Sequence, residues 1–114
     1  WLLGLGTNGH IAFNEPGSDP TSRSRVVTPD AETAEANSRH FADPAEVPTE
    51  ALTAGVSTIL DGRQIVLVAL GAHKADAVAR AIEGNRSPDC PASLLQGHAD
   101  CTFLLDRAAA SQLS

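Results

Sequence analysis

The residues best suited to proton chemistry lie close to the start of the chain. His10 is followed by Asn14 and Glu15, and all three come after a short apolar run interrupted by glycines. A histidine titrates near neutral pH and can move a proton to or from a substrate oxygen. A neighbouring carboxylate can fix the tautomer of the imidazole and raise its basicity. These residue types indicate acid–base catalysis, and by themselves they leave a purely structural turn equally open.

Three glycines precede this cluster in the sequence. Gly4, Gly6 and Gly9 have the spacing of the fingerprint that binds dinucleotides, which must open a helix so that phosphate meets the helix N-terminus. Here Asn14–Gly17 follows within a turn, and no helical stripe of apolar residues appears. The pattern therefore disfavours a dinucleotide site and predicts a tight turn after a strand.

The rest of the chain predicts the elements that must position this turn. Strands are expected over Trp1–Leu5, Thr102–Leu105 and the aliphatic run Ile65–Leu70, which fits a central parallel strand buried on both faces. Helices are expected over Leu52–Leu60, Ala75–Ile82, Pro91–Gln96 and Asp106–Leu113. This alternation predicts an α/β fold with a parallel sheet, and His10 then lies at the carboxyl end of a strand, where open α/β sheets bind ligands.

A long polar segment separates the first strand from the later elements. It carries five prolines between residues 16 and 48 and no long periodic element. One short helix is expected, with Thr28 as its cap and Pro29 at its first position. Long irregular segments in small domains are usually lids or binding loops, so we expect residues 29–47 to form a mobile active-site lid.

Composition limits the classes of function. The chain has 114 residues, 42% of them hydrophobic and 19% charged, which fits one globular domain. A net charge of −6 argues against a nucleic-acid partner, although one or two placed cations could still hold a small anion. No apolar run reaches membrane-spanning length and no signal peptide is apparent, so neither a membrane partner nor export is expected.

The two cysteines, Cys90 and Cys101, have no metal-binding spacing and are too few for a disulfide scaffold. Reduced thiols that fill apolar space are expected, together with a cytoplasmic location. His40, His73 and His98 are expected to be surface or packing residues.

The order of motifs resembles the glucosamine-6-phosphate deaminase family. The likeness is densest in the signature Leu5–Gly17 and continues in order along the chain, at Ser22–Arg25, Ala36–Arg39, Val47–Thr53, Gly71–Ala75 and Pro91–Gln96. The related 6-phosphogluconolactonases share a Gly-His turn but lack the continuation Phe13–Pro16. The resemblance implies a Rossmann-like fold, a mostly parallel sheet with flanking helices, that is incomplete at the N-terminus.

The resemblance also implies roles for five residues. His10 would open the pyranose ring, and Glu15 would orient and tune that histidine. Asn8 occupies a position that is aspartate in some members, and it can hold the histidine by a hydrogen bond without adding charge. Arg39 and Lys74 would bind the sugar phosphate, in keeping with the bidentate geometry of arginine and the point charge of lysine.

The implied reaction converts glucosamine 6-phosphate and water to fructose 6-phosphate and ammonia, with no metal or organic cofactor. By this resemblance, residues 1–114 are the C-terminal part of one sugar-phosphate isomerase/deaminase domain. The proton-abstracting aspartate would lie in an N-terminal portion, so the chain alone would be inactive. The alternatives are a 6-phosphogluconolactonase-like hydrolase and a non-catalytic sugar-phosphate sensor on the same fold. A homo-oligomer is left open.

The resemblance bears on regulation as well. Regulated members use a basic cluster around the segment that matches Ser18–Thr28, where they bind N-acetylglucosamine 6-phosphate. Arg25 is retained here, but Val27 replaces a lysine and Asp19 replaces a serine. We therefore expect weak or absent activation by that effector.

Overall fold

A three-stranded parallel sheet carries the architecture of the computed structural model, which describes residues 1–114. In chain order the elements are β1 (Leu2–Leu3), β2 (Arg25–Val27), α1 (Ala31–Ser38), β3 (Ala51–Thr53), α2 (Val56–Leu60), β4 (Ile65–Ala69), α3 (Ala75–Ile82) and β5 (Cys101–Leu105). Short 3-10 helices cover Pro44–Glu46, Ala72–Lys74 and Pro91–Gly97. The sheet order is β1-β4-β5, which confirms the predicted α/β fold with a mostly parallel sheet and flanking helices.

The core lies on one face of this sheet. Ile65, Leu67 and Ala69 of β4 are buried in a single cluster with residues of α3 and of the 3-10 helix Pro91–Gly97. The prediction that β4 is buried on both faces is wrong for this chain. On the opposite face, Val66 and Val68 are only half-buried, and their neighbours Leu2 and Leu104 are exposed.

A two-stranded antiparallel ribbon, β2 paired with β3, stands apart from the sheet. The predicted helix over Leu52–Leu60 is wrong at its start, because Leu52 lies in β3 opposite Val26 and is 79% exposed. The helix α2 begins only at Val56, where an apolar side chain is fully buried. The segment between β2 and β3 contains α1 and the 3-10 helix Pro44–Glu46, and the pairing of the two strands brings its ends together.

The helix α1 differs from the core helices in what stabilises it. Its sequence is rich in alanine and glutamate, which favour helix, and Glu32 in the first turn suits the positive end of the helix dipole. The predicted cap at Thr28 is wrong, since the N-cap is Asp30. Thr33 is the only buried residue of α1. Polar contacts rather than an apolar stripe therefore hold this helix against the rest of the molecule.

Two further predictions need correction near the C-terminus. In α3 the buried residues include Ala77 and Ala81, whereas Ile82, predicted to face the core, is 37% exposed. No regular helix forms over residues 106–113, where the chain makes a series of turns instead. The Asp106 carboxylate accepts hydrogen bonds from the Ala109 amide at 2.7 Å and the Gly71 amide at 3.0 Å, and so ties these turns to the loop after β4. No helix is long and apolar enough to span a bilayer.

Candidate active site

The turn after β1 is built to carry an imidazole. Gly6 and His10 close it through a bond from the Gly6 amide to the His10 carbonyl at 2.9 Å, and the Gly9 amide bonds the Gly6 carbonyl at 2.9 Å. A Cβ at Gly6 would overlap the His10 ring, and Gly9 adopts a φ of +89°. Since no helix follows this turn, the glycines serve the histidine and not a dinucleotide phosphate.

His10 belongs to a hydrogen-bonded chain of three side chains. Its Nδ1 lies 2.7 Å from the Asn8 Oδ1, which also accepts the His10 backbone amide at 3.1 Å. The Asn8 Nδ2 donates to the Glu15 Oε2 at 2.8 Å, and that oxygen is 3.6 Å from the His10 Nδ1. These bonds fix the amide orientation of Asn8, and an amide oxygen only accepts. The hydrogen of a neutral His10 is therefore on Nδ1, which leaves Nε2 free to take a proton.

Burial and the charges around His10 shift its pKa in opposite directions, with Lys74 acting in the same direction as burial. Burial lowers the pKa of His10 below its usual 6.5, the negative charge of Glu15 raises it, and Lys74 lowers it further. Asp30 and Glu32 act in the same direction as Glu15 but more weakly. The pKa nevertheless stays below its usual value, so His10 is neutral at pH 7 and suited to act as a base.

Glu15 lies in a buried turn that is held in place by the adjacent Asn14, which makes no hydrogen bond with His10. Asn14 is fully buried and donates to the carbonyls of Ile11 at 3.0 Å and Ala54 at 2.9 Å. Its Oδ1 accepts from the Arg25 guanidinium at 2.9 Å. Asn14 therefore anchors the turn to the ribbon and holds the Glu15 carboxylate behind His10.

Arg39 and Lys74 come together although 35 positions separate them in the sequence. Lys74 precedes α3, and its Nζ donates to the carbonyl of Leu5 at the end of the first strand run. Arg39 ends α1. Burial lowers the pKa of Lys74, and the positive charge of Arg39 lowers it further. Both side chains line one cavity, and two cations arranged in this way suit a dianionic ligand.

One open cavity of about 540 Å³ joins these groups, a size typical of small-ligand sites. Asn8, His10, Arg39 and Lys74 line it, and Glu15 lies behind His10. Sequence reasoning placed His73 among surface or packing residues, and it is indeed exposed, but it also lines this cavity. No group of three or more His, Cys, Asp or Glu side chains in the structure could hold a metal ion.

The sequence predicted an active-site lid over residues 29–47 that includes Arg39, but it did not single out three further residues of α1 that line this cavity. Glu32, Thr33 and Ala36 line it together with Arg39. Glu32 accepts a hydrogen bond from the Thr7 hydroxyl, and the Thr33 Oγ1 lies 3.4 Å from the His10 Nδ1. The available signal was the helical spacing of positions 32, 36 and 39, which places them on one face of a helix.

The fold and cavity define an α/β protein with a histidine-centred site facing a pair of cations. Residues 1–104 match the family described as glucosamine-6-phosphate isomerases/6-phosphogluconolactonase. The chain belongs to this family.

Individual relatives refine the comparison. The chain is 56% identical over 112 residues to the glucosamine-6-phosphate deaminase of Rhodopirellula baltica, covering 98% of this chain and 45% of that protein. It is 52% identical over 110 residues to glucosamine-6-phosphate deaminase 1 of Bacillus subtilis, covering 96% and 46%. The chain thus spans about half the length of the curated relatives it matches.

Solved structures also place the chain nearer to the deaminases than to the lactonases. A monomeric glucosamine-6-phosphate deaminase superposes with a TM-score of 0.92 at 52% identity, over 96% of this chain and 46% of that one. The 6-phosphogluconolactonase of Trypanosoma cruzi superposes with a TM-score of 0.69 at 25% identity, over 99% and 40%. The predicted resemblance to deaminases is confirmed, and the lactonases are more distant.

Proposed function

We propose that the protein containing this chain converts glucosamine 6-phosphate and water to fructose 6-phosphate and ammonia. The observation that carries this proposal is the arrangement of one cavity, in which a neutral histidine backed by Asn8 and Glu15 faces the cations Arg39 and Lys74. The relatives named as deaminases support the choice of substrate.

His10 is assigned to ring opening. In this step the Nε2 takes the proton of the anomeric hydroxyl and returns it to the ring oxygen, as the bond between C1 and that oxygen breaks. The imidazolium that forms in between is stabilised by the Glu15 carboxylate, whose Oε2 is 3.6 Å from Nδ1. Asn8 links this carboxylate to the imidazole ring through two hydrogen bonds and adds no second charge.

Isomerisation then moves a proton from C2 to C1, and water replaces the nitrogen at C2 as ammonia leaves. We assign the base for this step to none of the residues described above. Arg39 and Lys74 are assigned to the phosphate, and because they line the same cavity as His10, one bound sugar phosphate can contact all three residues.

Residues 29–47 are proposed to act as the lid of this cavity. The segment contains α1, which supplies Arg39 at its C-terminal end and buries only Thr33. A segment with so few buried side chains opens at low free-energy cost, while its polar contacts to Thr7 and His10 favour the closed state. Residues 1–114 are proposed to be the C-terminal part of a single domain.

A cytoplasmic location and a role in N-acetylglucosamine catabolism are proposed from the substrate. A phosphorylated amino sugar is an ionised metabolite that does not cross membranes unaided, so an enzyme that consumes it meets it inside the cell. The two free thiols, Cys90 and Cys101, fit a reducing compartment.

Ammonia release by the full-length protein tests the proposal. Purified protein is supplied in parallel with glucosamine 6-phosphate, with 6-phosphogluconolactone and with unphosphorylated glucosamine. We expect ammonia and fructose 6-phosphate from the first substrate only. Lactone hydrolysis without ammonia would identify a lactonase, and binding of the phosphorylated sugars without turnover would identify a sensor.

A further inference from the structure

A single acid lines the cavity that His10, Arg39 and Lys74 share. Of the side chains that form the wall of this cavity, Glu32 alone is a carboxylate, and it is exposed. Glu15, in contrast, is set back behind the imidazole and is only 8% exposed. Glu32 is therefore the acid that a molecule bound in this cavity would contact.

Glu32 is positioned through one of its two oxygens. Its Oε1 accepts a hydrogen bond from the hydroxyl of Thr7, which belongs to the turn after β1. Its Oε2 makes no hydrogen bond within the chain, and the three ion pairs of the chain are formed by other acids, Glu15, Asp61 and Asp76. One oxygen of an oriented carboxylate is thus left for a ligand.

A carboxylate at this place opposes the binding of a simple anion. Burial lowers the pKa of Lys74 and the charge of Arg39 lowers it further, whereas the charge of Glu32 raises it. Glu32 therefore acts on the same part of the cavity as the two cations, and its charge repels an incoming phosphate. A site that serves only for phosphate would bind its ligand better without this acid.

A ligand that carries both signs of charge removes this conflict. Glucosamine 6-phosphate has a phosphate at C6, which is close to a dianion at pH 7, and an amine at C2. That amine titrates near the pH of an α-amino group, about 8, so at pH 7 it is mostly an ammonium that donates hydrogen bonds to carboxylates. Two cations and one acid in the same cavity match the charges of such a ligand.

We propose that Glu32 is a specificity-determining residue whose Oε2 binds the C2 ammonium of an amino-sugar phosphate. This deepens the proposed function, and its consequence for the choice of substrate rests on that function. Sugar phosphates with a neutral hydroxyl at C2 leave the carboxylate without a cation to bind, so they bind more weakly. Because Glu32 lies on α1, the amine also becomes a contact between the substrate and the proposed lid.

Calorimetry on the full-length protein tests this proposal without catalysis. The two ligands are glucitol 6-phosphate and 2-amino-2-deoxyglucitol 6-phosphate, which share the phosphate and differ only in the group at C2. Both are reduced at C1, so neither can isomerise. We expect the wild type to bind the amino compound about tenfold more tightly, the effect of one charged hydrogen bond. Equal affinity for the two compounds would overturn the proposal, even if the protein releases ammonia from glucosamine 6-phosphate.

The variant Glu32→Gln removes the charge and keeps the shape of the side chain. Its amide oxygen can still accept the hydrogen bond from the Thr7 hydroxyl, so the contact between α1 and the turn is retained. The amino compound should bind about tenfold more weakly to this variant, while glucitol 6-phosphate binds equally well or better. An equal loss for both compounds would mean that Glu32 only holds the lid, and an unchanged preference would mean that it does not bind the amine.

Two controls separate the charge of Glu32 from its position. Thr7→Val removes the hydroxyl that Glu32 accepts and leaves the carboxylate charged, so the preference for the amino compound should persist. Glu35→Gln changes an exposed acid of the same helix that does not line the cavity, and it should behave like the wild type. A preference that is also lost in Glu35→Gln would assign it to the net charge of the lid and contradict the role of Glu32. If the protein releases no ammonia, the proposed function fails, while the calorimetric comparison still decides whether Glu32 binds the amine.

Discussion

The chemistry of His10 depends on two opposing influences at the scale of single side chains. Burial disfavours the imidazolium, and the buried Glu15 carboxylate favours it. Asn8 bridges the two groups by hydrogen bonds and adds no charge of its own, whereas an aspartate at this position would add one. The result is a histidine that is unprotonated at neutral pH and still has a partner for the proton it takes up.

Replacing His10 by Gln tests this assignment. The amide can keep the bond to Asn8 but cannot titrate, so kcat should fall by about 100-fold, a typical acid–base contribution. Wild-type turnover should decline as pH falls through the lowered pKa of His10, and this acidic limb should vanish in the variant. His40→Gln on the exposed part of the lid is the control, and unchanged turnover in His10→Gln would remove His10 from the mechanism.

The two cations are predicted to recognise phosphate and not the sugar. Arg39→Ala or Lys74→Ala should weaken binding of fructose 6-phosphate by about 2–3 kcal/mol, the loss of one charged hydrogen-bond partner. Binding of unphosphorylated fructose should change little. Calorimetry with both ligands gives the comparison, with the exposed Arg107→Ala as control. An equal loss for both sugars would contradict a phosphate role.

At the scale of elements, α1 and α3 differ in how many of their side chains are buried, and we expect them to differ in mobility accordingly. Ala77 and Ala81 fix α3 against the sheet, and with it Lys74. Arg39 lies on α1, which has one buried residue. On the proposed roles, Lys74 is a fixed ligand of the phosphate and Arg39 is carried on the proposed lid, so we expect substrate binding to be coupled to lid closure.

Exchange measurements with ligand test this division. Amides of α1 should exchange fast in the free protein and slow by about tenfold or more with saturating fructose 6-phosphate, because Arg39 then joins the ligand. Amides of α3 should be slow in both states. Equal rates in α1 with and without the ligand would mean that these residues are not a lid.

The elements also show where sequence reasoning works and where it ends. β4 was predictable from its unbroken aliphatic run and α3 from its apolar periodicity, and only their exposed faces were misjudged. Leu52 was misassigned because its place in the ribbon depends on its partner Val26, which is distant in the sequence. The helix expected over Asp106–Leu113 is a series of turns, in which the Asp106 carboxylate accepts a hydrogen bond from the Gly71 amide, 35 positions away. Residue types and motif likeness pointed to His10, whereas the contribution of Glu32 depended on the position of α1.

At the scale of the whole molecule, both arginines of the segment Ser18–Thr28, which the family resemblance links to an effector, already contact other side chains. The Arg25 guanidinium bonds the Asn14 Oδ1 at 2.9 Å, and Arg23 pairs with Asp61 at 2.6 Å. Hydrogen bonds from the Thr21 amide and hydroxyl lower the pKa of Asp19, so this carboxylate is ionised at neutral pH. The contacts that hold both arginines, together with the negative charge of Asp19, disfavour binding of a sugar phosphate at this segment.

We therefore predict hyperbolic kinetics that N-acetylglucosamine 6-phosphate does not change. Initial rates of ammonia release against glucosamine 6-phosphate concentration, with and without the acetylated sugar, provide the measurement. Since coupling between two sites needs an effector that distinguishes two states, a surface that does not bind it cannot transmit a signal. A sigmoidal curve that becomes hyperbolic on adding the effector would overturn this prediction.

The contact between Gly6 and the His10 ring has an evolutionary consequence. The ring occupies the space that any side chain at position 6 would need, so the two positions must change together. A descendant that lost the histidine would also lose the reason to keep glycine at position 6, and larger residues could accumulate there without harm. A glycine at position 6 beside a missing histidine would then mark a recent loss of catalysis, and a bulky residue there an old one.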